Sequence, residues 1–256
     1  MEQELSKERL INNKNEAINR INEYLDSCTI KDTKHKKKAN LLSFWFKDYI
    51  NYLEQEETFN SSFLKEYSRG DIIKVNLGFN VGNEEGGLHY CVVLDKKNAK
   101  SYSTLTVVPL SSFKETTKKN KTSVFLGKDI YLSLEEKNKK IISIVTERIE
   151  KCQISIKEVK SFPENTEEEQ IIKNYKINQI RDILIDNNEK LELSQKIESE
   201  LAQMKKGSIA LINQITTISK QRIYNPKKDM DILSGIKLSN EKMNLIDEKI
   251  KKLFLN

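Results

Sequence analysis

A histidine stands where a glycine-rich, acidic loop runs into an apolar stretch: Gly82-Asn83-Glu84-Glu85-Gly86-Gly87-Leu88-His89-Tyr90-Cys91-Val92-Val93-Leu94. Glycine lets backbone come close to a ligand that any side chain would hold off. An unperturbed imidazole titrates near ~6.5, so it can both take and give a proton near neutrality. Glu84 and Glu85 repel phosphate unless one of them serves as a base or contacts a nucleobase. The plain alternatives are a hydrogen-bonded histidine at a strand start and two carboxylates that solubilise a turn. Four of the eight glycines lie at 78, 82, 86 and 87, and none lies in 1–67 or 128–206. That distribution separates a β-rich body, which carries the chemistry, from two long helical regions.

The elements around this loop follow from apolar periodicity. Residues 2–27 read as a helix with Ile11, Ile18, Ile21 and Leu25 near one face. Residues 34–58 read as a second, with a stripe of Leu42, Trp45, Phe46, Tyr49 and Leu53. The basic run Lys31 to Lys38 is either a solvated helix start or a phosphate contact. Alternation at Ile73, Val75 and Leu77 predicts a half-buried strand, and Tyr90–Leu94 a central one. Leu105, Val107 and Val108 form the next strand, with Pro109 expected to end it or mark an edge. Thr122–Leu126 is a further short strand. From about Leu132 the helical period returns as two amphipathic helices joined at Ser161-Phe162-Pro163-Glu164-Asn165. Gly207 is expected to end the second of them. Ile209–Ile212 and Ile215–Ile218 read as strands, and Ser239 caps a last helix, with Leu238 stapled to Met243. The expected organisation is α+β: a helical region 1–67, a body split between 68–131 and 207–256, and an inserted helical hairpin at 132–206.

Bulk properties bound the partners. Net charge is +6 and charged residues make up 32% of the chain. That balance suits a nucleic-acid partner and equally suits a lysine-rich solvated surface. The three cysteines, Cys28, Cys91 and Cys152, show neither metal-ligand spacing nor a disulfide framework and read as reduced thiols in a cytosol. No apolar run approaches the ~18 residues of a membrane span, and 1–20 lacks a secretory apolar core.

Six pieces in order resemble one family. They are Arg69-Gly70-Asp71-Ile72-Ile73, the loop Gly82-x-Glu84-x-Gly86-Gly87, Val92-Val93-Leu94, Leu105-Thr106-Val107-Val108-Pro109-Leu110-Ser111, Gln214-Ile215-x-Thr217-Ile218-Ser219-Lys220-x-Arg222, and Leu238-Ser239-Asn240-Glu241-Lys242-Met243. Together they resemble the PemK/MazF toxins of type II toxin–antitoxin systems, once 132–206 is set aside. The resemblance implies a small SH3-like β-barrel with a C-terminal helix, commonly a homodimer. It implies a metal-independent, cofactor-free endoribonuclease that cuts single-stranded RNA and is held in check by an antitoxin protein. The implied products are a 2′,3′-cyclic phosphate and a 5′-OH.

In that resemblance the family's catalytic arginine falls at His89 and its catalytic threonine at Ser111, whose hydroxyl can still donate to a phosphate oxygen. A second family arginine falls at Thr216, so Lys220 or Arg222 is left to supply the positive charge. The implied RNA groove takes in Arg69, Glu84, Glu85, Gly86, Gly87, Gln214, Thr216, Thr217, Lys220 and Arg222. Each has a plain reading beside it: Arg69-Gly70-Asp71 as a turn, Ser111 as a strand end, Gln214 and Thr217 as edge hydrogen bonding. The alternative function is a non-catalytic nucleic-acid- or protein-binding module of the same fold, because arginine is missing at both 89 and 216. The helices of 1–66 and 132–206 then cover the groove or build a dimer interface.

Overall fold

The computed structural model describes residues 6–113 and 121–255, so positions 2–5 of the first expected helix lie outside it. The described residues divide into two compact units, residues 1–59 with 78–83, and residues 60–77 with 84–256.

The first unit is built on two helices, α1 (Lys7–Thr29) and α2 (Thr33–Glu54). Ser6 caps α1 through the Arg9 N–H and Asp32 caps α2 through the His35 N–H at 2.9 Å. Cys28 and Ala39 are the helix residues it buries fully. Leu10, Ile11, Ile18, Phe44 and Ile50 stay exposed, and the Trp45 ring packs on Tyr49 and Tyr52 rather than in a closed core.

The second unit holds an antiparallel sheet: β2 (Ile72–Asn76), β3 (Leu88–Val93), β5 (Thr104–Ser112), β6 (Ser123–Gly127), β7 (Ser208–Leu211), β8 (Thr216–Ser219) and β9 (Ile223–Asn225). Its order is β6-β7-β5-β3-β2-β9, with β8 also paired to β5, and the path is open at β6 and β9. Short strands β1 (Tyr67–Ser68) and β4 (Lys97–Asn98) form a separate pair. Strands β7, β8 and β9 follow the helical excursion in sequence yet pair with strands that precede it.

Alternation sends each strand's side chains into one of two apolar clusters. Ile72, Val92, Val108 and Leu110 enter one; Ile73, Val75, Cys91, Val93, Leu105 and Val107 enter the other. The first cluster is closed by α5 (Asn240–Phe254) through Met243 and Ile246. It is also closed by the roots of two long helices, α3 (Asp129–Ser161) and α4 (Glu167–Gln203), through Ile130, Leu134, Leu193 and Ile197. The excursion 132–206 therefore shares the sheet's core at its base and projects away from it only farther along. Lys137 of α3 adds a polar tie, its ammonium donating to the carbonyls of Asp231, Ile232 and Ser234 at 2.8–2.9 Å.

The helical hairpin packs on a seven-residue rhythm. Asn138, Val145, Cys152 and Val159 are buried in α3, and Asn187 and Ser194 in α4, the spacing of an antiparallel coiled coil. Ser194 Oγ donates to Asn138 Oδ1 at 2.7 Å. Asn187, 2% exposed, has no partner for either side-chain polar atom among the described residues. Pro163 stops α3 by holding Phe162 extended, and a reciprocal Thr166–Glu169 capping box starts α4.

Two expectations are corrected. Pro109 lies inside β5, paired with Cys91, instead of ending the strand. The Leu94 N–H donates to the Thr106 carbonyl, so even-numbered residues of β5 bond toward β3 and the Pro109 nitrogen faces the other edge. There β8 ends at Val107 and β7 begins at Leu110, so a missing N–H costs nothing. Gly207 does not end α4; Met204 is the C-cap, in extended conformation. Gly207 instead lets Phe113 approach, since a Cβ there would sit 3.0 Å from the Phe113 Cβ.

Asn187→Leu is expected to stabilise the protein by about 1–3 kcal/mol, the cost of an unpaired buried amide, read as a raised midpoint in urea unfolding; an unchanged or lower midpoint contradicts the burial. Burial, with Lys65 nearby, pushes the Lys137 ammonium down from 10.5 to about 8. Between those values the unfolded chain holds a proton that the native chain lacks, so unfolding free energy rises with pH. Wild type should therefore gain on Lys137→Met as pH is raised from about 8 toward 10.5 in denaturant titrations.

Candidate active site

A cavity lies where the β3–β5 ladder lapses. The β3–β5 ladder stops at Cys91↔Pro109, and the same register carried two residues further sets His89 opposite Ser111. The next acceptor on β5, the Leu110 carbonyl, is bonded by the His89 ring at 3.0 Å through Nδ1. A carbonyl only accepts, so Nδ1 carries the proton and Nε2 is left for chemistry. Nε2 lies 3.5 Å from Glu85 Oε2. Glu85 is held in turn by its N–H donating to Gln214 Oε1 at 3.2 Å. Gly87, at φ +82°, supplies the left-handed turn from this loop into β3, and its carbonyl accepts from Leu77 at 2.8 Å.

The cavity has a volume of about 360 Å³ and its lining includes His89, Ser111, Lys74, Tyr90, Glu200 and Lys205. Ser111 is half-buried, on the part of β5 that pairs with β7. Lys74 stands directly across the β2–β3 ladder from Tyr90. Its Nζ is 2.7 Å from Glu200 Oε1 and 5.1 Å from the Tyr90 ring centroid. The Tyr90 hydroxyl donates to the same Glu200 oxygen. Burial first, and Glu200 second, push the Tyr90 phenol far above its ordinary range, so it remains a donor.

Several other expected groove residues make their contacts elsewhere. Arg69 donates to the Leu94 carbonyl at 2.7 Å and pairs with Asp247 of α5; it ties the turn before β2 to β3 and α5. Lys220 is fully buried, donating to the Ala99 carbonyl at 3.0 Å beneath the Tyr67 ring. Burial lowers its pKa. It cannot meet a polyanion from there, which corrects the expectation that it replaces a missing arginine. Arg222 Nε donates to the Asn76 carbonyl at 2.8 Å and holds the end of β2. Thr216 and Thr217 are exposed on β8, the latter 3.5 Å from Thr106 Oγ1. Glu84 is exposed and Gly86 half-buried in the loop.

The sequence alone did not mark Lys74 or Glu200, and it showed Tyr90 only as the start of a central strand. The hairpin register could have paired Lys74 with Tyr90. Nothing in the sequence of a 37-residue helix says which turn meets a cavity.

Residues 68–170 match the family model of PemK-like, MazF-like toxins of type II toxin–antitoxin systems. This segment is similar to the PemK/MazF-like toxins. It contains β2 to β6, α3, and both His89 and Ser111, and it stops before the stretches 214–222 and 238–243 that also carried the sequence resemblance. No curated protein matches the chain. The described helices include none long and apolar enough to cross a membrane, and no three His, Cys, Asp or Glu side chains among the described residues gather as a metal site.

If Lys220 is structural, Lys220→Met should lower stability by about 1–3 kcal/mol through loss of its buried bond to the Ala99 carbonyl, and should leave any RNA retention in a filter-binding titration within about twofold of wild type. A tenfold loss with the fold intact would return Lys220 to the groove.

Proposed function

We propose that the protein is a toxin-type, metal-independent endoribonuclease that cuts single-stranded RNA, with His89 and Ser111 as its catalytic pair. One observation carries this reading: His89 and Ser111 share a cavity within the family-matched segment. The body 68–131 with 207–256 is then an SH3-like barrel variant, open in its ladder, into which 132–206 is inserted. An antitoxin restrains it in the cytosol, and the exposed apolar faces of α1 and α2 suit a homodimer.

The chemistry combines two bond changes at phosphorus with two proton transfers. The ribose 2′-oxygen forms a bond to the adjacent phosphorus, and the bond from phosphorus to the 5′-oxygen breaks. The Glu85 carboxylate takes the 2′-OH proton. His89, protonated on both nitrogens, gives the Nε2 proton to the departing 5′-oxygen, while Leu110 keeps its ring from rotating. The Ser111 hydroxyl donates to a non-bridging oxygen as charge builds there. The products are a 2′,3′-cyclic phosphate and a 5′-OH. Gln214 sets the loop that carries Glu85, and Gly86 and Gly87 let the RNA backbone pass close.

A second reading, a non-catalytic RNA- or protein-binding module, is favoured by the absence of arginine at 89 and 216. Rate measurements on an unstructured RNA in chelator separate the two. His89→Ala should slow cleavage by about 10²–10⁴-fold, the usual contribution of a proton-transfer group, and Ser111→Ala by about 10²-fold, as for one oxyanion donor. Salt-sensitive RNA binding by wild type with no cleavage selects the second reading. Equal rates for wild type and His89→Ala remove His89 from the mechanism.

A further inference from the structure

We infer that Lys74 and Tyr90 form the phosphate subsite of this cavity, and that Glu200 of α4 fills it as a built-in competitor for the RNA phosphate. The inference rests on the reading of the cavity as an RNA site.

Two donors converge on one oxygen. Lys74 Nζ and the Tyr90 hydroxyl both bond Glu200 Oε1. A cation and a hydroxyl aimed at a single anionic oxygen are what a non-bridging phosphate oxygen requires. Both donors come from the sheet, on facing positions of β2 and β3, and the Lys74 ammonium lies against the Tyr90 ring. The facing of the two side chains is set by the sheet register and does not depend on Glu200. The side chains of Lys74 and Glu200 are 19% and 20% exposed, so the pair sits in the cavity wall rather than in the core. This gives the site a standing positive charge in place of the arginines absent at 89 and 216, which Lys220, being buried, cannot deliver.

The anion that occupies the donors comes from an unfavourable position on its own helix. Glu200 lies in the last turn of α4, which ends at Gln203, and that turn carries no basic residue. A carboxylate there faces the negative end of the helix dipole. Its placement is explained by Lys74 and Tyr90, not by helix stability. Phosphate arriving at the subsite displaces the Glu200 side chain by rotation about its own bonds, with α4 staying where its root is packed. The helical excursion therefore carries a restraint in the same chain as the site.

The test reads binding of an RNA that cannot be cut. A labelled single-stranded RNA with 2′-O-methyl riboses is titrated by fluorescence anisotropy at fixed salt against the full chain. Glu200→Gln keeps shape and a hydrogen-bond acceptor but removes the competing charge. It is expected to bind about tenfold tighter than wild type, the gain of freeing one charge-assisted contact. Adding Lys74→Met should abolish the gain, and adding Tyr90→Phe should cut it several-fold. Glu192→Gln, the same charge change on an exposed face of α4, controls for net charge and should move affinity less than twofold. Thermal unfolding of each variant accompanies the titration. The inference is overturned if folded Glu200→Gln binds no tighter than wild type, if the gain survives loss of Lys74, or if Glu192→Gln gains as much. Because no 2′-OH is present, the binding result stands whether or not the chain proves to cleave RNA.

Discussion

Everything at the candidate site depends on β5 changing partners halfway along. Its first half bonds β8 and its second half β7, while its other edge bonds β3 only as far as Cys91↔Pro109. Two of these neighbours share one edge in succession, and on the opposite edge the ladder to β3 lapses beyond Pro109. Where the β3 ladder lapses, a side chain takes up the free carbonyl, and that side chain is His89. The histidine is thus oriented at the same backbone discontinuity where the cavity lies. Pro109 fits this point because its nitrogen faces the gap between β8 and β7, where no acceptor waits.

The long helices are part of this arrangement. Their roots bury Ile130, Leu134, Leu193 and Ile197 against the sheet, so α4 arrives beside the cavity with fixed rotation. That rotation directs Glu200 toward Lys74 and Tyr90. Farther out the two helices hold each other by a heptad seam interrupted by Asn138 and Asn187. Buried amides in such seams favour one register over its neighbours at some cost in stability. Fixed register matters here because a slip of one helical turn, about 5.4 Å, would carry Glu200 out of reach of its partners.

The sequence made the local features legible. The cap at Ser239, strands from alternation, and a histidine at the loop–strand junction all follow from short-range chemistry. His89 stood out by its place beside the glycine loop, whereas Ser111 became a candidate only through the family resemblance. Long-range placement was not legible. Lys220 looks like a surface cation in a polar stretch, yet tertiary packing seals it under Tyr67. Arg69 looks like a groove residue, yet it spans to an α5 carboxylate at position 247. Pro109 reads as a terminator because the one-sided gap that tolerates it exists only once β7 and β8 have returned. Glu200 carries no local mark at all; its meaning comes from which helical turn the core happens to fix against β2.

The central claim is that His89 and Ser111 serve an RNA-cleaving cavity. Its most direct test is the chemistry of the ends left on a purified, unstructured RNA incubated with the full chain in chelator. The expected fragments carry 2′,3′-cyclic phosphates and 5′-hydroxyls. Intact RNA, or fragments with 3′-hydroxyls and 5′-phosphates, would contradict the account.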